Sequence, residues 1–371
     1  MTRRTTGPTR NVPAHPPVSE SQNIVGETAA RILARHADPQ TVNRAKDDAW
    51  RAPLWNALVE AGLTLAWVPE AAGGAGASLA DGFAILSAAG RFAAPVPLAE
   101  TLLAGWLLAG AGIAAPAGPM TVAPARPRDD VRLNPDGSLS GRARGVPFAR
   151  EARHLAVAVN GAAGAAVALV PIEACHVAEG RNLAGDDLNV VTFDRAEPAR
   201  LAPAPAGFTR EAVMLMGAIV RSVQSAGALE ALLAMTVRYA NERVAFERPI
   251  GKFQAVQHSL ARLAGEVAAA MTAAGSAADA VAAAEVLDDA VFLEAAAAKI
   301  RCAKAAEEGA AIAHQLHGAI GFTKEHVLHR FTLRLLSWRD DFGHESHWAV
   351  ALGNRVAARG AGELWPLVAS R

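Results

Sequence analysis

Tyrosine is almost missing from this chain: Tyr239 is the single one among 371 residues. Cysteine is nearly as scarce. Cys175 and Cys302 are too few for a disulfide framework, and neither sits in a metal-ligand spacing, so no metal is expected. That usage points to a reducing compartment, and a cytoplasmic location is the expectation. Neither sign of charge is in excess, with Lys+Arg and Asp+Glu both at 36. A broad nucleic-acid footprint needs a basic face, so nucleic acid is not an expected partner. No apolar run of about 20 residues occurs, and no membrane span is expected. The opening residues are rich in Arg, Thr and Pro but lack an apolar signal core. Residues 1–20 are expected to be a disordered tail, with a transit peptide as the alternative. The glycine-rich run Trp67–Gly76 reads as a loop. No Lys-Ser/Thr follows it, which excludes a Walker-type phosphate loop.

Alanine dominates what is present, and alanine is the best helix former. The length allows two or three domains. Residues 21–115 read as an N-terminal helical domain. Ala29, Ile32, Leu33 and His36 recur at helical spacing, and Pro53 suits the first turn of a helix carrying Leu54, Leu58 and Val59. Ser78 or Asp81 can cap a helix over Leu79–Arg91. Pro95 and Pro97 break it before another helix over Leu98–Leu108. From 116 to 206 prolines cluster and short apolar runs appear, predicting a small, barrel-like β domain. Its strands are expected at 131–133, 155–159, 166–170 and 190–193, with a tight turn at Asn134-Pro135-Asp136-Gly137. Residues 207–371 are helical again. Long stripes over 212–241, 254–284 and 286–317, then a shorter pair over 326–338 and 344–358, predict a four-helix bundle. The expected fold is therefore mainly α with a small β domain in the middle.

Two stretches concentrate ligand-type groups. The first runs from Tyr239 to His258 and holds Arg243, Phe246, Arg248, Pro249, Gly251, Phe253 and Gln254. Pro249 forbids a continuous helix, so this is a corner between two helices. It suits an anionic, planar ligand or, more blandly, a solvated turn. The second is Gln315-Leu316-His317-Gly318-Ala319-Ile320-Gly321-Phe322. Taken alone it is a helix end with a glycine stop.

Together with Val68-Pro69-Glu70 through Gly76, Gly90-Arg91 and Pro95, these stretches resemble the acyl-CoA dehydrogenase family. The resemblance covers nearly the whole chain after residue 20. It implies an N-terminal helical domain, a middle β domain and a C-terminal bundle, assembled as a homotetramer or homodimer. It implies FAD between the β domain and the bundle, reaching a neighbouring subunit. By the same resemblance Arg243 meets the pyrophosphate, Phe246 lies beside the cofactor, Gln254 and Gln315 bind the nucleotide across the interface, and Gly318 lets backbone approach the adenosine. The implied reaction oxidises an acyl-CoA thioester to the 2-enoyl product. A carboxylate removes the α-proton, FAD accepts the β-hydride, and an electron-transfer flavoprotein takes the electrons.

In many members the base is a glutamate about twenty residues past the Gly-Phe pair, a place that falls on Phe342 here. In a minority it sits on the first bundle helix, near Gly217. Glu345 is the candidate base, because it follows a glycine turn and opens the last helix; the alternative is a helix N-terminal charge favoured by the dipole. Two further departures stand out. Glu247 replaces a usual glycine, and no Trp lies between Trp106 and Trp338 to supply the family's flavin-contacting Trp-x-Thr segment. Some bacterial members pair a catalytic subunit with a relative whose own site is incomplete. A half-site subunit of a heteromer, or a relative with other flavin chemistry, therefore stands as the alternative. His314, His317, His326, His329, His344 and His347 are expected to be polar lining or surface. Arg330, Arg334 and Arg339 could meet a CoA phosphate, but a solvated face is the simpler expectation.

Overall fold

The computed structural model describes residues 20–162 and 164–369. The expectation for the N-terminal tail lies outside them. Five helices come first: α1 (Glu20–His36), α2 (Pro39–Arg44), α3 (Arg51–Glu60), α4 (Leu79–Arg91) and α5 (Leu98–Gly110). The α4 start is fixed by a reciprocal cap. Ser78 Oγ accepts from the Asp81 N–H, and the Asp81 carboxylate accepts from the Ser78 N–H, each at 3.1 Å. Both residues singled out in the sequence thus cap this helix.

Among the described residues the middle of the chain is one curled, eight-stranded sheet. Its strands are β1 (Met120–Ala123), β2 (Asp130–Leu133), β3 (Leu139–Pro147), β4 (His154–Gly161), β5 (Gly164–Pro171), β6 (His176–Ala178), β7 (Leu188–Ala196) and β8 (Arg200–Pro203). They lie in the order β6-β7-β3-β2-β4-β5-β8, with β1 running parallel beside β4. The Asn134–Gly137 turn joins β2 to β3 as an antiparallel hairpin.

The remainder is helical: α6 (Arg210–Glu242), α7 (Gln254–Ala283), α8 (Asp289–His317), α9 (Leu328–Trp338), α10 (Glu345–Arg359) and the short α11 (Leu364–Ala369). Between α6 and α7 a two-stranded hairpin, β9 (Val244–Ala245) and β10 (Arg248–Pro249), turns the chain. α6 packs on α4, α7 and α8. Against α4 the backbones nearly touch. A Cβ on Gly90 would lie 2.1 Å from the Gln224 carbonyl, and one on Gly227 2.2 Å from that of Ser87. By length and composition α6 could cross a membrane, but its most apolar window is entirely buried inside the protein. The bundle itself supplies the apolar surroundings that the helix needs.

Candidate functional site

Between α6 and α7 lies the corner that holds Arg243, Phe246 and Gln254. α6 stops at Arg243, which leaves in extended backbone while its N–H still donates to the Tyr239 carbonyl. The β9–β10 hairpin then turns through Phe246 and Glu247, with φ of 50° and 63°. Two successive left-handed residues are the geometry of a tight hairpin turn that favours glycine or asparagine. The departure at Glu247 therefore falls where the backbone itself favours the family's usual glycine. Phe246 is 89% exposed, and its ring meets Phe253 edge-on at 6.1 Å. The Arg248 guanidinium lies 4.2 Å over the Phe253 ring. Gln254 is exposed at the start of α7.

Tyr239 ties this corner to the second stretch. Its ring stacks on His317 at 4.3 Å, and its hydroxyl donates to the His317 carbonyl at 3.2 Å. There α8 ends, and Gly318 turns away with φ 64° and open space where a Cβ would project. Gln315 and Gly318 line a cleft of about 580 Å³ together with Glu307, His314, Ala319 and Phe322. Burial holds His314, His317 and His326 below the ordinary imidazole range, which favours their neutral rings. His317 Nε2 is buried without a partner among the described residues. Among the described residues no group of three or more His, Cys, Asp or Glu is placed to hold a metal ion.

A second centre lies where α9 gives way to α10. Phe342 is 1% exposed and adopts φ 52°, which a bulky side chain rarely does. Its ring covers Gly217 on α6 so closely that a Cβ there would lie 2.3 Å from it. The two places that the family resemblance marks for a catalytic carboxylate are thus neighbours in space, and they hold a phenyl ring and a glycine. The Trp348 indole donates to the Phe342 carbonyl at 3.0 Å and fixes the loop.

Beside this contact Arg221, 2% exposed, donates to Asp341 at 3.0 Å, to Glu100 at 2.5 Å and to Gln224 at 2.6 Å. Burial pushes the Glu100 carboxyl up and opposes the charge on Arg221. The two carboxylates outweigh that on the arginine, which stays cationic. Arg126, from the loop after β1, reaches over to the Asp340 carbonyl and to Asp341. Lys299 donates to the Trp338 carbonyl at 2.6 Å, and burial pushes its pKa down to about 7. Sequence reasoning missed this network. Its signal was a lone Arg221 within the apolar stripe of α6 and a lone Glu100 within the Leu-rich α5.

Glu345 is the first residue of α10. One of its oxygens is 3.2 Å from Arg339; the other, Oε2, is buried with no partner among the described residues. A cleft of about 460 Å³ opens nearby, where Met214, Leu215, Phe292 and Trp348 form apolar walls and Arg126 and Arg355 sit among the polar ones. The solvated arginine face expected on α9 is corrected by the structure. Arg334 is buried against Asp186 at 2.6 Å, and Arg339 is shielded between Glu307 and Glu345. Each finds a carboxylate that lies far away in sequence or across the loop into α10.

Comparison with known proteins agrees with this architecture. Residues 19–115 match the model of the acyl-CoA dehydrogenase N-terminal domain, and 208–339 that of the C-terminal domain. Acyl-CoA dehydrogenase IpdE2 of Mycobacterium tuberculosis is 30% identical over 349 residues, covering 93% of this chain and 98% of that one. A variant of the Tcur3481–Tcur3483 steroid ACAD is similar in structure, with a TM-score of 0.80, 28% identity, and coverage of 92% and 99%. The ChsE4–ChsE5 complex from Mycobacterium tuberculosis shares the fold, with a TM-score of 0.78, 23% identity, and coverage of 92% and 98%. The chain belongs to the acyl-CoA dehydrogenase family of FAD-dependent oxidoreductases.

Proposed function

We propose that this chain takes part in the α,β-dehydrogenation of an acyl-CoA thioester as one half of an assembly with a related subunit, which supplies the catalytic carboxylate. The observation that carries this reading is the contact of Gly217 with Phe342. Neither residue can take a proton, and Asp341 and Glu100 beside them each pair with Arg221.

The nucleotide corner suits the adenosine-diphosphate end of FAD. Arg243 offers a permanently charged fork for the pyrophosphate. Gln254 and Gln315 are exposed amides able to pair with a nucleotide. Gly318 presents backbone with no side chain, and the bare Phe246 ring needs a cover. When bound, FAD accepts the β-hydride. In this reading the chain's own residues bind the nucleotide end, exclude water around Phe342 and hold the loop that carries it. The relative that is 28% identical is named for a steroid, so steroid-derived thioesters belong in the substrate panel. The free thiols Cys175 and Cys302 suit a reducing, cytoplasmic setting, and an electron-transfer flavoprotein is the acceptor in this proposal.

A second reading makes Glu345 the base of a homo-oligomer. The unpartnered, buried Glu345 Oε2 favours it. The experiment is to purify the chain alone and together with a related subunit from the same genome. Each preparation is then mixed anaerobically with straight-chain and steroid-derived acyl-CoA thioesters while flavin absorbance is followed. The proposal expects bleaching only from the joint preparation. Stoichiometric bleaching by the chain alone would overturn it.

A further inference from the structure

The loop between α2 and α3, the segment 181–186 and helix α9 wall a largely polar cleft of about 640 Å³, away from both centres described above. Lys46, Arg51, Arg181, Lys324, Arg330 and Arg334 face it, against only Asp47, Asp48 and Asp186. Two of those acids are already engaged. Asp186 meets Arg334 at 2.6 Å, and Asp48 meets Arg51 at 3.4 Å. Arg330 alone of the cleft's buried or half-buried arginines has no carboxylate within ion-pair distance among the described residues. It is half-buried, and its Nε, like those of Arg51 and Arg334, is enclosed without an acceptor. Burial and the neighbouring Arg334 push its pKa down to about 10, as expected for a cation short of a counter-charge.

The walls are fastened before any ligand arrives. The Asn43 amide donates to the Lys324 carbonyl at 2.9 Å, Arg51 pairs with Glu151 at 2.6 Å, and Arg334 with Asp186. Cations held apart by their own scaffold lose little entropy on meeting an anion. The surplus of positive charge suits a multiply charged oxyanion better than a single carboxylate, and a guanidinium fork matches phosphate geometry.

We propose that this cleft binds a phosphate-bearing ligand, with Arg330 meeting the phosphate and Lys46, Arg181 and Lys324 supplying the surrounding positive charge. The inference does not depend on the assembly proposed above. Its phosphate could belong to a free diphosphate or to the nucleotide end of a CoA thioester.

The test is calorimetric titration of the full-length protein with inorganic pyrophosphate, ADP and CoA at low ionic strength. Saturable pyrophosphate binding is expected, weakened roughly tenfold or more by Arg330→Gln. Arg200→Gln, on an exposed arginine of β8 outside the lining of the cleft, should leave it unchanged. Lys46→Gln, on an exposed side chain, provides a variant with little risk to folding and should weaken binding a few-fold and flatten its salt dependence. CoA binding tighter than ADP, and lost in Arg330→Gln, would assign the phosphate to a thioester. Equal affinities would assign it to a free diphosphate, and either result supports the site. Absence of saturable binding at millimolar pyrophosphate would overturn the proposal. So would binding that survives Arg330→Gln and Lys46→Gln but disappears in Arg243→Gln.

Discussion

Gly217 and Phe342 lie 125 positions apart in the chain, yet the phenyl ring occupies the space that any side chain on residue 217 would need. The contact sits inside a protein core, where packing tolerates little added volume. Gly217→Ala is therefore expected to cost about 1–3 kcal/mol through overpacking. Phe342→Ala should cost about 3–5 kcal/mol by opening a cavity. The double variant should lose clearly less than the sum, because each change relieves the other. Urea unfolding of the three variants measures this coupling, and strict additivity would mean that the two residues do not share one space.

The arginine beside that contact is expected to behave as the centre of a buried ionic network. Arg221→Met leaves Glu100 without its cation and Asp341 with only the more distant Arg126. Removing one partner of a buried pair typically costs about 3–5 kcal/mol. Replacing all three together with apolar residues of similar volume should recover most of that loss. Chemical denaturation midpoints of the single and triple variants check the order.

Lys299 makes stability depend on alkaline pH. Its ordinary pKa is 10.5, and burial brings it to about 7 in the folded chain. Between those values the unfolded chain holds a proton that the folded chain lacks. Stability should therefore rise with pH across that window and level off below about 7. Lys299→Met should flatten the rise, although it also removes the hydrogen bond to the Trp338 carbonyl. Melting temperatures from pH 7 to 10 in the two proteins provide the comparison.

The helices were legible because their causes are local. The Ser78–Asp81 cap, the prolines before α5 and the apolar stripe of α6 all lie within a few residues of what they determine. Strands β4 and β5 were legible as apolar runs. β1 was not, because four fully buried residues next to a proline-rich segment show no alternation. β3 was not either, because its register shifts near Gly141 and Gly145 break the two-residue period. The corner between α6 and α7 was visible as a concentration of ligand-type residues, and the link made by Tyr239 and His317 was not. Counting placed Phe342 and Gly217 at the positions of interest, but only the fold shows them touching. The Arg221 network joins α5, α6 and the loop before α10, and no spacing along the chain reveals such a meeting.

Glu345 provides the most direct test of the central claim that the catalytic carboxylate comes from a related subunit. The measurement is the anaerobic rate of flavin bleaching by an acyl-CoA thioester in the joint preparation carrying Glu345→Gln. A positioned base contributes roughly 10²–10⁴-fold. The account predicts a rate within about threefold of the unaltered assembly, well below that range. A loss of a hundredfold or more, with FAD content and melting temperature unchanged, would contradict it and return the base to this chain.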